Sequence, residues 1–251
     1  GVVSADVRLS RAFDEATRGY TALKVSYGNS GDQVTLNYFF LDDTINNRYA
    51  PVQQIEFADG TVWNVTAIWA MANRGGAGDD FLIGTPGADT LDGGAGNDTL
   101  IGSQGADQIA GGSGDDQIFG NGGDDSLSGD AGDDVIYAAD GNDVIDAGVG
   151  VDTIYAGSGN DTLSGGAGSD NLQGEAGDDI LDGGAGNDVL QGGTGSDTYL
   201  FGRGDGKDLV RNSQAPNWWG DLADSNNYAY TVGYGLESDH ATATDVLKFK
   251  A

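Results

Sequence analysis

The sequence predicts an all-β solenoid, and three observations predict it. Residues 75–200 divide without a gap into 14 nonapeptides, from GGAGDDFLI (75–83) through GGAGNDTLI (93–101) and GGSGDDQIF (111–119) to GGTGSDTYL (192–200). Position four is glycine and position six is aspartate in all 14 copies, and position eight is Leu or Ile in 13, with Tyr199 in the last. These 126 residues hold 34 of the 45 glycines and 25 of the 40 acidic side chains but no Lys or Arg, so all 11 basic residues lie in the flanks. A fixed short period of this kind is the mark of a stacked repeat architecture, in which each unit contacts only its neighbours.

The elements follow in chain order. Residues 1–74 form an N-terminal β-rich capping domain with alternating apolar runs, and strands are expected at Val7–Phe13, Ala22–Tyr27, Val34–Phe40 and Val52–Phe57. Asp59-Gly60 reads as a tight hairpin turn into Thr61-Val62-Trp63, with Asp59 a turn residue rather than a ligand. A short helix over Thr66–Met71 leads into the first coil and buries Ile68 and Trp69 as a lid, which a solenoid needs because its first coil exposes a sheet edge and an apolar ladder.

Within each nonapeptide, positions seven to nine, such as Thr-Leu-Ile at 99–101, form a three-residue strand whose middle side chain faces opposite to its neighbours. Glycines at positions one, two and four allow a left-handed turn and let carbonyls crowd a common centre. One apolar residue in nine cannot bury itself alone, so Leu100 and its equivalents must stack into an internal ladder, two units per coil, in a flattened right-handed solenoid. After the array, YLFGRGDGKDLV (199–210) keeps the glycine and aspartate spacing but loses the nine-residue phase, as an irregular C-terminal cap over 201–251 does. Residues 212–244 gather Trp218, Trp219, Tyr228, Tyr230, Tyr234 and the only histidine, His240, and read as an aromatic plug over the last coil, with sugar stacking as the alternative.

Stacking places aspartate on aspartate about 4.8 Å apart, which is repulsive until neutralised. The position-six residues Asp80, Asp89, Asp98, Asp107, Asp116, Asp125, Asp134, Asp143, Asp152, Asp161, Asp170, Asp179, Asp188 and Asp197 are therefore candidate metal ligands. Turn glycines join them as candidates: Gly76, Gly94 and Gly112 at position two, and Gly78, Gly87, Gly96, Gly105, Gly114, Gly123, Gly132, Gly159, Gly168, Gly177 and Gly186 at position four. Carboxylate and carbonyl oxygens are the ligand set of Ca2+, whereas Mg2+ is smaller and dehydrates reluctantly. Ions seated between repeat n and repeat n+2 give at most twelve sites, whose 24 positive charges offset most of the 25 acidic groups. Asp205 and Asp208 are candidates for a terminal site, weighed against simple turn chemistry. The position-five acids Asp115, Asp124 and Asp133 read as solvated turn charges, because Ala88, Ala106 and Val151 replace them elsewhere. Ala138, Ala147 and Ala156 at position one, and non-glycine residues at position two in six copies, predict weakened rather than absent ligation.

With a net charge of −29, the chain repels nucleic acid and anionic membrane. It has no apolar run long enough to span a bilayer and no cysteine for a disulfide or thiolate site. No HExxH, Cys-His, GxSxG or phosphate-loop constellation is present, so no catalytic residue is expected; the many carboxylate pairs are read as metal ligands. The outward seventh position runs Phe81, Thr99, Gln117 and Val135 without a threonine ladder, which argues against ice recognition.

The nonapeptides resemble those of RTX (repeats-in-toxin, haemolysin-type calcium-binding) proteins. The resemblance implies a parallel β-roll, calcium-dependent folding, and secretion of an unfolded chain from a Gram-negative bacterium through type I secretion machinery. The strings YGNSGDQVTLNYFF (27–40) and QQIEFADGTVWN (53–64) resemble the haemolysin-type calcium-binding-related domain that accompanies such arrays. The expected partners are calcium ions, the export machinery and a host surface or glycan, with the chain itself monomeric. GVVSADVRLSR (1–11) and DVLKFKA (245–251) would sit well head to tail in that family, so one period of a longer tandem protein is expected. The readings left open are a folding module, a stalk or ligand-binding segment of an adhesin or toxin, and an accessory module of a polysaccharide-modifying enzyme.

Overall fold

The computed structural model describes residues 7–14, 19–27, 32–36, 54–58, 60–202, 205–211 and 246–249. Strands β1 (Val7–Asp14), β2 (Gly19–Tyr27) and β3 (Asp32–Leu36) form an antiparallel sheet in the order β1-β2-β3. Strand β2 starts earlier than its own apolar alternation predicts, because pairing continues past Ala12 opposite Ala22 to Asp14 opposite Gly19 across an irregularity. Strands β4 (Gln54–Glu56) and β5 (Val62–Asn64) make the expected hairpin. It is closed by the Gly60 N–H donating to the Phe57 carbonyl at 2.9 Å and packed by an edge-to-face contact between Phe57 and Trp63. Gly60 carries the left-handed backbone of this turn (φ +84°), while Asp59 lies outside the described residues.

Helix α1 (Val65–Ala72) begins where Asn64 Oδ1 accepts the Ala67 N–H at 2.9 Å, a side-chain cap on an otherwise orphaned donor. Ile68 and Ala72 are buried, as the lid reading requires for Ile68; the Trp69 side chain lies outside the described residues. The chain then enters the first coil through Arg74, which pairs with Asp92 by a parallel bridge and by an exposed 2.8 Å ion pair.

From Phe81 the chain builds two parallel sheets. One takes the strands that start at Phe81, Thr99, Gln117, Val135, Thr153, Asn171, Val189 and Leu209; the other takes those that start at Thr90, Gln108, Ser126, Val144, Thr162, Ile180, Thr198 and Val246. Alternate repeats feed alternate sheets, and pairing runs at a separation of 18 residues, as in Ile118 with Leu100 and with Ile136. Two nonapeptides therefore make one coil. Most of these strands are six residues long rather than three, because hydrogen bonding continues from positions seven to nine through positions one to three of the next repeat. The position-eight side chains from Leu82 to Tyr199 form one buried column with Phe201 and Val210. Tyr199 replaces the aliphatic residue at no exposure, and its hydroxyl accepts the Gly192 N–H at 2.9 Å.

The roll extends past the fourteenth repeat. Leu209–Val210 pairs with Val189 and Leu190 at a spacing of 20 residues, and Val246–Phe249 pairs with Thr198–Phe201 at a spacing of 48. Residues 212–245, with the aromatic cluster and His240, lie outside the described residues.

Candidate metal centre

From the third repeat on, each turn of the roll is shaped by two left-handed residues. Position four has φ between +102° and +157° from Gly96 to Gly195, and glycine occupies it throughout. Position two is left-handed from Gly94 onward, including Ser103, Asn121, Asp130, Ala139 and Glu175, whose φ values of +71° to +87° sit closer to the left-handed well open to L-residues. Position one is not left-handed. Its glycine keeps space open: a Cβ at Gly102, Gly111, Gly120, Gly129, Gly165 or Gly174 would come closer than 3.0 Å both to that repeat's own Asp Oδ2 and to the position-one carbonyl oxygen two repeats on, so the repeats with alanine there must shift locally. The site that a position-one side chain would fill is thus walled by two oxygens. In the first two repeats none of Gly76, Gly78, Thr85 and Gly87 is left-handed, so the turn takes its regular shape only from the third.

Position six forms two continuous ladders. The Asp98 N–H donates to Asp116 Oδ1 at 2.7 Å, the Asp116 N–H to Asp134 Oδ1 at 2.8 Å, and the Asp134 N–H to Asp152 Oδ1 at 2.8 Å; the alternate repeats, on the other side of each coil, do the same through Asp107, Asp125, Asp143 and Asp161. The second oxygen is left over. From Asp98 to Asp188, in 11 successive repeats, Oδ2 is buried without a hydrogen-bond partner. Asp80 and Asp89 differ, since their Oδ2 atoms accept the Gly76 N–H at 2.7 Å and the Thr85 N–H and hydroxyl at 2.5 and 2.8 Å. An orphaned buried carboxylate oxygen costs several kcal/mol unless something positive meets it.

Protonation answers that cost in part. Burial pushes Asp107, Asp134, Asp143 and Asp179 up to about 7 and Asp116 and Asp170 up to about 6, against the opposing effect of the backbone N–H that each accepts; neighbouring aspartates add to the rise. A cation answers it more fully. The donor set is all hard oxygen, one free carboxylate oxygen in each repeat from Asp98 to Asp188 with turn carbonyls beside it, and it contains no sulfur or imidazole. Among the described residues no three acidic or histidine side chains converge, so a cation here draws much of its coordination from the main chain. Such a set fits Ca2+.

The sequence comparisons agree with the donor chemistry. The RTX calcium-binding nonapeptide repeat matches in overlapping four-copy blocks that run from residue 74 to residue 208, more than half of the chain. The chain belongs to the RTX calcium-binding repeat family. Ahead of the RTX array, residues 23–67 match the haemolysin-type calcium binding protein related domain. A search of curated proteins gives no match. This is an RTX calcium-binding module, and no helix among its described residues is long and apolar enough to cross a membrane.

The RTX coils also contain ladders that the sequence reading did not anticipate. The position-five Asp and Asn side chains are exposed, but they are not merely solvated: Asp115 Oδ1 accepts the Asp133 N–H at 3.0 Å, and Asp124 Oδ1 accepts the Asn142 N–H at 2.8 Å. The ladder includes asparagine, with Asn97 Oδ1 accepting the Asp115 N–H and Asn160 Oδ1 the Asp178 N–H. It runs opposite to the position-six ladder, with the acceptor in the earlier coil. The recurrence of Asp or Asn in most position-five copies was the available signal.

Of the two terminal candidates, Asp208 joins the position-six ladder, accepting the Asp188 N–H at 3.2 Å. Gly206 is left-handed (φ +114°) and bridges Gly186, and Val210 is buried in the core column. Gly206, Asp208 and Val210 thus repeat positions four, six and eight after a two-residue insertion. Asp205 instead belongs to the turn, its Oδ2 accepting the Gly202 N–H at 2.5 Å, though its charge helps to raise Asp208, which burial chiefly pushes up to about 6.

Proposed function

We propose that this RTX module is a calcium-operated folding switch of a secreted bacterial protein. The observation that carries the reading is the column of buried Asp Oδ2 atoms without partners from Asp98 to Asp188. Position-six carboxylates hold the ions with turn carbonyls, at up to about twelve sites. Bound Ca2+ would supply the positive charge these oxygens lack and would link repeat n to repeat n+2 in the adjacent coil. Without it, 25 acidic groups and one core residue in nine oppose closure; with it, binding and folding are one event. In low cytosolic calcium the chain stays threadable for type I export. Outside the cell, where calcium modules work at about 10⁻⁴ to 10⁻³ M, it closes. Residues 1–74 and 201–251 serve as caps on the array, and the folded roll spaces neighbouring domains of an adhesin or toxin.

The test is far-ultraviolet circular dichroism of the chelated chain during titration with calcium, with magnesium as the control. A cooperative, calcium-specific coil-to-β transition is expected. A β spectrum indifferent to chelator would overturn the switch and the export argument that depends on it.

A further inference from the structure

Three successive repeats, 138–146, 147–155 and 156–164, place alanine at position one. Ala138, Ala147 and Ala156 are all fully buried. In the glycine repeats a Cβ at this position would lie closer than 3.0 Å to the repeat's own Asp Oδ2. The alanine repeats carry that methyl in the same repeats whose Asp143, Asp152 and Asp161 Oδ2 atoms are buried without a hydrogen-bond partner, so the space that glycine leaves open beside Oδ2 for a cation and its carbonyl ligands is reduced there.

The same stretch carries extra packing. Each alanine follows an isoleucine two residues earlier, Ile136, Ile145 and Ile154, all buried in the core column. Directly before Ala138 and Ala156 stand Tyr137 and Tyr155. Phe119, Tyr137 and Tyr155 form a face-to-face stack along three adjacent strands, with ring centroids 5.2 and 4.9 Å apart and planes within 5°. Among the described residues this is the only run of stacked rings on the roll.

We propose that the calcium array is divided: the coils through Ala138, Ala147 and Ala156 hold their ions more weakly than the coils on either side and are kept closed by the aromatic stack and the Ile–Ala core. This inference rests on the calcium reading above and names the residues that grade it. The flanking blocks load first and the centre last, so calcium tunes the ends of the roll over a lower concentration range than its middle. Extra methyl groups in a packed site cost enough to weaken binding by about tenfold per site.

Isothermal calorimetry on the whole chain, with near-ultraviolet circular dichroism to follow the stacked tyrosines, tests the division. The native chain is expected to bind calcium in two phases, the weaker holding about a quarter of the ions, with most of the tyrosine signal present before that phase begins. The triple variant Ala138→Gly/Ala147→Gly/Ala156→Gly is expected to merge the phases. A single phase in the native chain, or two unchanged phases in the triple variant, overturns the division. Because removing three buried methyls can prevent folding, the converse variant Gly174→Ala decides independently. It is expected to move one ion from the tight phase to the weak one, and an unchanged isotherm overturns the proposal. Absence of calcium binding in every protein is a separate result that removes the calcium reading itself.

Discussion

Gly157 and Gly159 occupy positions two and four of one repeat, and replacing each with alanine should have very different consequences. Both are left-handed, at φ +109° and +136°, and a Cβ on either would press on the backbone of the preceding coil. At Gly157 that neighbour is Ala139, which itself carries a Cβ at the same position with φ +85°. Five copies accept a side chain there by relaxing toward the left-handed well, which costs an L-residue about 1–2 kcal/mol and returns about 0.4–1 kcal/mol through the unfolded chain. Gly157→Ala should therefore cost about 1 kcal/mol or less.

At Gly159 the backbone lies in a region nearly confined to glycine, worth about 1–3 kcal/mol for any other residue. The new Cβ would also sit 2.5 Å from the Gly141 carbonyl carbon, and relieving that overlap costs about 1–3 kcal/mol more. Gly159→Ala should thus cost about 2–6 kcal/mol, a large part of the stability of an ordinary domain. Urea unfolding at saturating calcium, followed by far-ultraviolet circular dichroism, measures both. Equal losses in the two variants, or a larger loss for Gly157→Ala, would refute the argument that backbone region, rather than crowding alone, makes position four invariant.

Asp134→Asn keeps an oxygen for the Asp116 N–H but removes the charge, so the calcium midpoint should rise while the chelated chain is not destabilised; Asp134→Ala should lose about 1 kcal/mol more through the broken hydrogen bond. An unchanged calcium midpoint for Asp134→Asn would exclude Asp134 as a ligand. The pH dependence has an unusual sign. Asp107, Asp134, Asp143 and Asp179 titrate near 7 in the metal-free roll, above their unfolded value of 3.8, so the folded state binds more protons across that interval. Circular dichroism in chelator should show more residual structure at pH 5 than at pH 8, while the calcium needed for folding rises at pH 5 because protons compete for the same oxygens. Less structure at the lower pH would contradict the burial of these carboxylates.

Much of this protein was legible before its coordinates. A nine-residue period with one aliphatic residue per unit admits only a stacked arrangement, so the core column from Leu82 to Tyr199 and the rows of position-six aspartates follow from spacing alone. The hairpin at Gly60 and the helix ahead of the array were readable from turn and alternation signals. What the spacing could not reveal was how one oxygen differs from the other on the same carboxylate. Tertiary stacking decided that Oδ1 of Asp116 would take the Asp98 N–H and that Oδ2 would be left over, because the donor arrives from a coil 18 residues earlier. It likewise turned position-five Asp and Asn into a ladder of opposite direction.

The loss of phase after Leu200 was equally misleading as a local signal. Strand pairing depends on the edge being presented, and lengthening the connecting loop adds only a slowly growing entropy cost. The roll could therefore resume after 20 residues at Leu209 and after 48 at Val246. Sequence alone determined the repeat, the facing of its core and the chemistry of its donors, since these are set by period and residue type. Which oxygen stays bare, which ladder it joins and where the last coils close are properties of contact between coils, and only the tertiary structure decided them.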